Sequence, residues 1–274
     1  MAIPLYPSYW NHSHPKTCFQ PKTQVQIQYC SDLHLEFPEN RRWLAANPLI
    51  PSAEILVIAG DCFYLGDDYD SYDFIRRVAD EFEAVYILPG NHEYYGGYDV
   101  ATALQATFEA IKENVFLVNN TSLELQGARL IFSTMWSLIN KNIREIINGL
   151  TDFRLIKYQG EAFKVNHFNA LHENAFQFLK KEVAKEGKKL VVTHHLPSNE
   201  CNIDQFKGSV LNPAFCVEKT WFVAASDASA WIYGHSHRNV PDFEINGTRM
   251  LTNQLGYVGC REHLTFRRDE VVSV

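Results

Sequence analysis

At 274 residues with a formal net charge of -7, the chain is long enough for one large α/β unit and lacks the basic surplus of a dedicated nucleic-acid binder. Its 46% hydrophobic and 21% charged residues set aside a disordered or fibrous chain. Six scattered cysteines with no C-x-x-C pair, and no apolar stretch of membrane-spanning length, set aside a disulfide framework and a transmembrane protein.

Residues 1–24 carry four prolines and the pair His12 and His14 without periodicity, and read as an irregular leader. They have no cationic start followed by an apolar core, so they are not a secretory signal, and the expected compartment is the cytoplasm. From Val25 to Val274 the chain reads as one domain of short apolar runs, each ending in a polar turn. VQIQYC leads to SDLH, AEILVIA to GDC, AVYILP to GNHE, KKLVVT to HH and SAWIY to GHSH. Continuous apolar runs of this length suit strands buried on both faces. Helical spacing covers 72–82 and 167–186, the second with Asn166 as N-cap and Gly187 as its stop. Residues 115–134 read as a meander (VFLVNN, SLELQ, ARLIFST), and 242–274 as further strands, FEING turning into TRMLTN before LTFRRDEVVSV. The pattern predicts a mixed α/β sandwich.

The chemistry sits at the ends of five runs: Asp32 and His34, Asp61, Asn91 and His92, His194 and His195, His235 and His237. Ligands of open α/β sheets bind beyond the carboxyl ends of the strands, so these clusters can converge. Imidazole, carboxylate and one amide oxygen suit Mn, Fe or Zn rather than Ca. On an extended strand end, residues i and i+2 face the same side, so D-x-H and H-x-H can each grip metal.

The order Asp32-Leu33-His34, Gly60-Asp61, Gly90-Asn91-His92-Glu93, His194, Gly234-His235-Ser236-His237 resembles the calcineurin-like metallophosphoesterase superfamily, in its bacterial-type form. The resemblance implies a four-layer α/β/β/α sandwich of two mixed sheets with its metal site at the strand C-terminal ends. It implies two metal ions, the first held by Asp32, His34, Asp61 and His237 and the second by Asp61, Asn91, His194 and His235. Asp61 would bridge them, a hydroxide between the metals would attack a phosphate ester, and His92 would protonate the leaving oxygen or stabilise the phosphoryl charge. Asn91, His92 and Arg154 are the expected substrate contacts.

The protein-phosphatase branch carries an acid and an arginine in GDxVDRG, whereas this chain reads Gly60-Asp61-Cys62-Phe63-Tyr64-Leu65-Gly66. That points to small phosphomonoesters or phosphodiesters rather than phosphoproteins, and leaves Asp67 or Asp68 as candidates to orient His92. His195 and Glu93 read as structural, Cys62 as a buried filler, and His167, His172 and His263 as ordinary. Residues 135–165 read either as a cap, with Asp152, Arg154, Lys157 and Tyr158 toward substrate, or as a solvated helical hairpin. The competing function is a non-catalytic metal-binding scaffold on the same fold. A filled ligand set with His92 present favours the enzyme.

Overall fold

The computed structural model describes residues 24–274, so most of the leader, with His12 and His14, lies outside the described residues. The chain first alternates strand and helix: β1 (Gln26–Cys30), α1 (Pro38–Ala46), β2 (Ile55–Ala59), α2 (Asp73–Glu81) and β3 (Ala84–Leu88). Four strands follow, β4 (Thr107–Lys112), β5 (Val115–Asn119), β6 (Thr121–Leu125) and β7 (Ala128–Ser133). Short helices α3 (Ile143–Gly149) and α4 (Asp152–Leu155) and a small hairpin of β8 (Lys157–Tyr158) and β9 (Glu161–Ala162) lead into the long α5 (Val165–Val183). Then come β10 (Lys188–Thr193), α6 (Asp204–Lys207), α7 (Thr220–Ala224), β11 (Ala230–Ile232), β12 (Phe243–Ile245), β13 (Thr248–Leu251) and β14 (Val271–Ser273).

Two six-stranded mixed sheets result, in the orders β14-β1-β2-β3-β5-β4 and β12-β13-β11-β10-β7-β6. The continuous apolar runs have a direct cause. In β2, Ile55, Val57 and Ala59 pack between the sheets against Leu130, Phe132, Leu190 and Val192. Leu56 and Ile58, on the other face, pack with Leu44 of α1 and Ile75 and Val78 of α2. The second sheet repeats this, with Val191 and Trp231 packed against Phe176 and Leu179 of α5. Both faces of each sheet are therefore covered, giving the four layers. Among the described residues, no helix is long and apolar enough to cross a membrane.

Three strand and helix assignments differ from the sequence reading. The expected meander is split, because β5 belongs to the first sheet and β6 to the second. The chain crosses between them at Asn120, whose backbone is left-handed (φ 46). Strand periodicity carries no information about which sheet a strand joins. The long helix begins at Val165 behind Lys164, with no side-chain cap bond, so Asn166 lies inside its first turn. It ends at Val183, and Gly187 (φ 103) turns the chain into β10. Of LTFRRDEVVSV only Val271–Ser273 is a strand, because the preceding residues form a 3₁₀ turn and a loop.

One buried amide ties α1 to the loops that carry the site. Asn40 Nδ2 donates to Leu33 O (2.9 Å) and Gly256 O (2.8 Å), and its Oδ1 accepts from Val258 N (3.2 Å). Leaving such groups buried and unpaired costs about 1–3 kcal/mol each. Asn40→Leu should therefore lower the unfolding free energy in urea by about 2–4 kcal/mol. An unchanged midpoint would show that these loops do not depend on this clamp.

Candidate metal centre

The strand ends do not continue extended into the site. Asp32 (φ 55), His34 (φ 50), Asp61 (φ 56), His235 (φ 75) and His237 (φ 53) all adopt left-handed backbone. Such residues cost of the order of 1–3 kcal/mol each, and they persist only where the surroundings over-determine them. Here the loops lace together: Asp32 N donates to Gly60 O (2.9 Å), His34 N to Asp61 O (2.9 Å) and Leu35 N to Cys62 O (2.8 Å). The extended i, i+2 geometry expected for D-x-H and H-x-H is thus corrected. Asp32 and His34 do serve one group, whereas His235 and His237 separate into two.

Those two groups meet at one carboxylate. Asp32, His34, Asp61 and His237 form the first and Asp61, His194 and His235 the second, with donor atoms in each within 4.8 Å of one another. Asp61 Oδ2 lies 3.9 Å from His34 Nε2 and 3.3 Å from His194 Nε2. Asn91 Oδ1 lies 3.3 Å from His194 Nε2, which adds the expected amide oxygen to the second group. Two glycines are required by close approach: a Cβ on Gly60 would sit 2.2 Å from His194 Nδ1, and one on Gly90 2.2 Å from Asp61 Oδ1.

The donor chemistry fits metal. His34 Nδ1 pairs with Glu36 (2.9 Å), His237 Nδ1 with Glu262 (2.7 Å) and His194 Nδ1 with Ala59 O (2.8 Å). Each acceptor fixes the proton on Nδ1 and turns an Nε2 lone pair inward, the usual outer support of ligating histidines. The Nε2 atoms of His34 and His237 consequently face each other at 2.9 Å, an arrangement that needs a cation or a proton between them. Charge within the cluster is uneven, since burial holds His34 and His235 below the ordinary imidazole value. Burial works against charging His194, but Asp61 outweighs it and pushes the ring up to about 10.

Several residues acquire roles the sequence did not disclose. Glu36, not Asp67 or Asp68, contacts His92: its Oε1 lies 2.8 Å from His92 Nδ1. Asp67 instead accepts from Tyr72, and Asp68 from Asp70 N. The signal for Glu36 was the spacing D-x-H-x-E. Burial opposes charge on His92, yet Asp61 and Glu36 push it up to about 9. Glu93 is structural as expected, accepting from Asp61 N (3.0 Å), Cys62 N (2.7 Å) and Gly90 N (2.7 Å) and so bracing two site loops together. Its burial, followed by the charge of Asp61, pushes it up to about 8.

His195 stays out of both groups. It is fully buried behind the site, accepting from Ser137 N with Nδ1, its ring centroid 4.2 Å from that of His235. Asp152 lines the cavity beside the site, but its Oδ1 accepts from Asn91 Nδ2 (3.0 Å) and Tyr95, which turns Asn91 Oδ1 toward His194. Arg154, expected at the substrate, is exposed, does not line that cavity, and donates to Asn148 O (3.3 Å) and Thr151 Oγ1 (3.0 Å). Of helix α4, Asp152 and Leu155 line the cavity, Phe153 packs against Phe163 and Phe168, and Arg154 is left exposed. Lys157 and Tyr158 lie in the β8–β9 hairpin, away from the cavity wall. Within residues 135–165, Trp136, Ile146, Ile156 and Phe163 join one buried cluster, while much of α3 and the β8–β9 hairpin is exposed.

The calcineurin-like phosphoesterase family matches residues 26–239, and the chain belongs to that family. An uncharacterised protein, L509 of Acanthamoeba polyphaga mimivirus, is 26% identical over 261 residues, covering 84% of this chain and 91% of that protein. Phosphopantetheinyl hydrolase from Mycobacterium tuberculosis shares the fold, with a TM-score of 0.63 at 17% identity over 92% of this chain and 96% of that one. A dimetal phosphatase from Danio rerio aligns with a TM-score of 0.44 at 14% identity, over 84% of this chain and 87% of that one.

A histidine must be neutral to ligate, so a metal bound at this group would have to displace the proton that Asp61 favours on His194. Apparent Mn affinity should therefore rise as pH rises from 7 toward 10. Calorimetry in buffers of different ionisation heat should show net proton release on binding at pH 8. Buffer-independent heats would contradict a protonated His194.

Proposed function

We propose that the protein hydrolyses small phosphate esters, monoesters or diesters, at a centre of two metal ions that share Asp61. The observation that carries this reading is the position of Asp61 Oδ2 within reach of both histidine sets. Asp32, His34 and His237 complete one set and Asn91, His194 and His235 the other. This donor mixture suits Mn, Fe or Zn. Ions bound there would offset charge on the phosphoryl oxygens and bring the pKa of water down towards ~7.

The remaining work falls to the chain. His92 is not a member of either ligand group that contains Asp61, and it lines the cavity. Its Nδ1 is held by Glu36, and Nε2 lies 3.3 Å from Tyr257 Oη. Glu36 favours the charged ring, so Nε2 can carry a proton and give it to the departing alcohol oxygen. Glu36 fixes the ring and offsets the positive charge before transfer. Asp152 holds the Asn91 amide so that its oxygen, not its nitrogen, faces His194.

Purified protein should hold about two ions of Mn, Fe or Zn per chain and lose activity to a strong chelator. Asp61→Asn should deplete both sites together. His92→Ala should keep both metals and lose ~10²–10⁴ of kcat on alkyl esters, with a smaller loss on nitrophenyl esters whose leaving groups need no proton. Full metal occupancy in Asp61→Asn would refute the shared carboxylate. Equal losses on activated and unactivated esters would move His92 from proton donor to charge stabiliser.

A further inference from the structure

The chain after β13, beyond the family match at residues 26–239, returns to the metal centre and places Tyr257 on the cavity wall. Its backbone is held from several sides. Gly256 N donates to Asp32 O (3.0 Å), and Tyr257 N to Glu262 Oε2 (2.9 Å), the same oxygen that accepts from His237 Nδ1 (2.7 Å). Cys260 N closes a turn onto Tyr257 O (3.0 Å). A side chain carried on backbone so anchored can keep a defined place at a reacting group.

The phenol lies across the first of the two donor groups. Its ring centroid is 4.4 Å from that of His237 and 4.7 Å from that of His34, but 6.3 Å from that of His92. The hydroxyl nevertheless reaches His92, with Oη 3.3 Å from Nε2. The ring therefore packs on His34 and His237, and its polar end points along the wall to His92. Phe37 packs edge-on against the same ring, at 5.4 Å.

This hydroxyl is not tied down elsewhere. His92 Nδ1 is engaged by Glu36 (2.8 Å), so Nε2 and Tyr257 Oη have only each other among the described residues. Tyr95, also on the wall with its ring centroid 4.2 Å from that of His92, differs. Its hydroxyl donates to Asp152 and accepts from Asn91 Nδ2 (3.0 Å). The contact between Nε2 and Oη uses one hydrogen, whereas a protonated imidazole and a phenol bring two. An oxygen placed about 2.8–3.0 Å from both atoms would take both hydrogens at ordinary lengths.

We infer that Tyr257 Oη is a second donor to the departing ester oxygen, which it shares with His92 Nε2. The inference rests on the phosphoesterase reading above and adds a residue to it. As the P–O bond breaks, its electron pair stays on that oxygen, which takes the proton from Nε2. Tyr257 keeps its own proton and donates a hydrogen bond that strengthens as negative charge collects there.

Tyr257→Phe removes one oxygen and keeps the ring on His34 and His237. Metal content and melting temperature of the Mn-loaded full chain should therefore be unchanged. The kcat for alkyl esters should fall roughly tenfold to a hundredfold, under the ~10²–10³ of an enclosed oxyanion donor because this residue is only half-buried. Nitrophenyl esters, whose leaving oxygens need less support, should lose clearly less. In a His92→Ala background the same change should lower alkyl-ester kcat further, because the hydroxyl touches the substrate itself. No further loss there would make Tyr257 a positioning residue for His92 and overturn the inference. Equal losses on alkyl and nitrophenyl esters would put the hydroxyl on a phosphoryl oxygen and overturn it too, as would loss of metal. Full activity of Tyr257→Phe beside an active wild type refutes this inference alone. A Mn-loaded wild type that cleaves no ester refutes the hydrolase reading and the inference with it.

Discussion

A buried carboxylate governs this structure. Asp61 has almost no exposure, yet burial is opposed by His194 and His92, whose proximity holds its carboxyl well below the usual carboxylate range. Its Oδ1 takes the His92 backbone N–H at 2.9 Å, which leaves Oδ2 facing the imidazoles of both groups. An anion so placed demands positive charge on two sides. His194, pushed up by Asp61, is one group that can carry such charge. The centre as a whole fits metal better, because the imidazole lone pairs already point inward.

The surrounding architecture can be understood as support for that carboxylate. The parallel strands β1, β2 and β3 of one sheet and β10 and β11 of the other all end at the same rim of the sandwich, which delivers residues from five loops. Glu93 gathers three backbone N–H groups from two of those loops, so it fixes Asp61 through the main chain rather than by touching the ligands. Glu36 and Glu262 set the tautomers of His34 and His237 from outside. Asp152 brings the packed segment after β7 into the same network through Asn91. The left-handed backbone at Asp32, His34, Asp61, His235 and His237 is tolerated because these bonds hold it.

Much of this was legible in the sequence, for a physical reason. A strand buried on both faces must be apolar throughout, so VQIQYC, AEILVIA, AVYILP, KKLVVT and SAWIY announced both the strands and the points where polar ligands begin. The polar residues at those ends are short-range features and could be read in order. The brace Glu93 was legible as structural because G-N-H-E places it one residue past His92. What was not legible depends on contacts across long stretches of chain. The pairing of Glu36 with His92 spans 56 residues and that of Asp152 with Asn91 spans 61, and neither leaves a periodic trace. Arg154 is a cation close in sequence to the site, but in this four-residue helix Asp152 and Leu155 line the cavity and Phe153 packs on the buried cluster, which leaves Arg154 exposed. The division of the meander between two sheets was hidden because alternation fixes a strand's faces and not its neighbours.

The central claim is that one carboxylate joins two metal sites. Crystals grown with Mn and measured at its absorption edge test it directly. The account predicts two anomalous peaks flanking Asp61 and about 3.5–4 Å apart. Asp32, His34 and His237 should surround one peak, and Asn91, His194 and His235 the other. A single peak, or one seated instead among His34, Glu36 and His92, would contradict it.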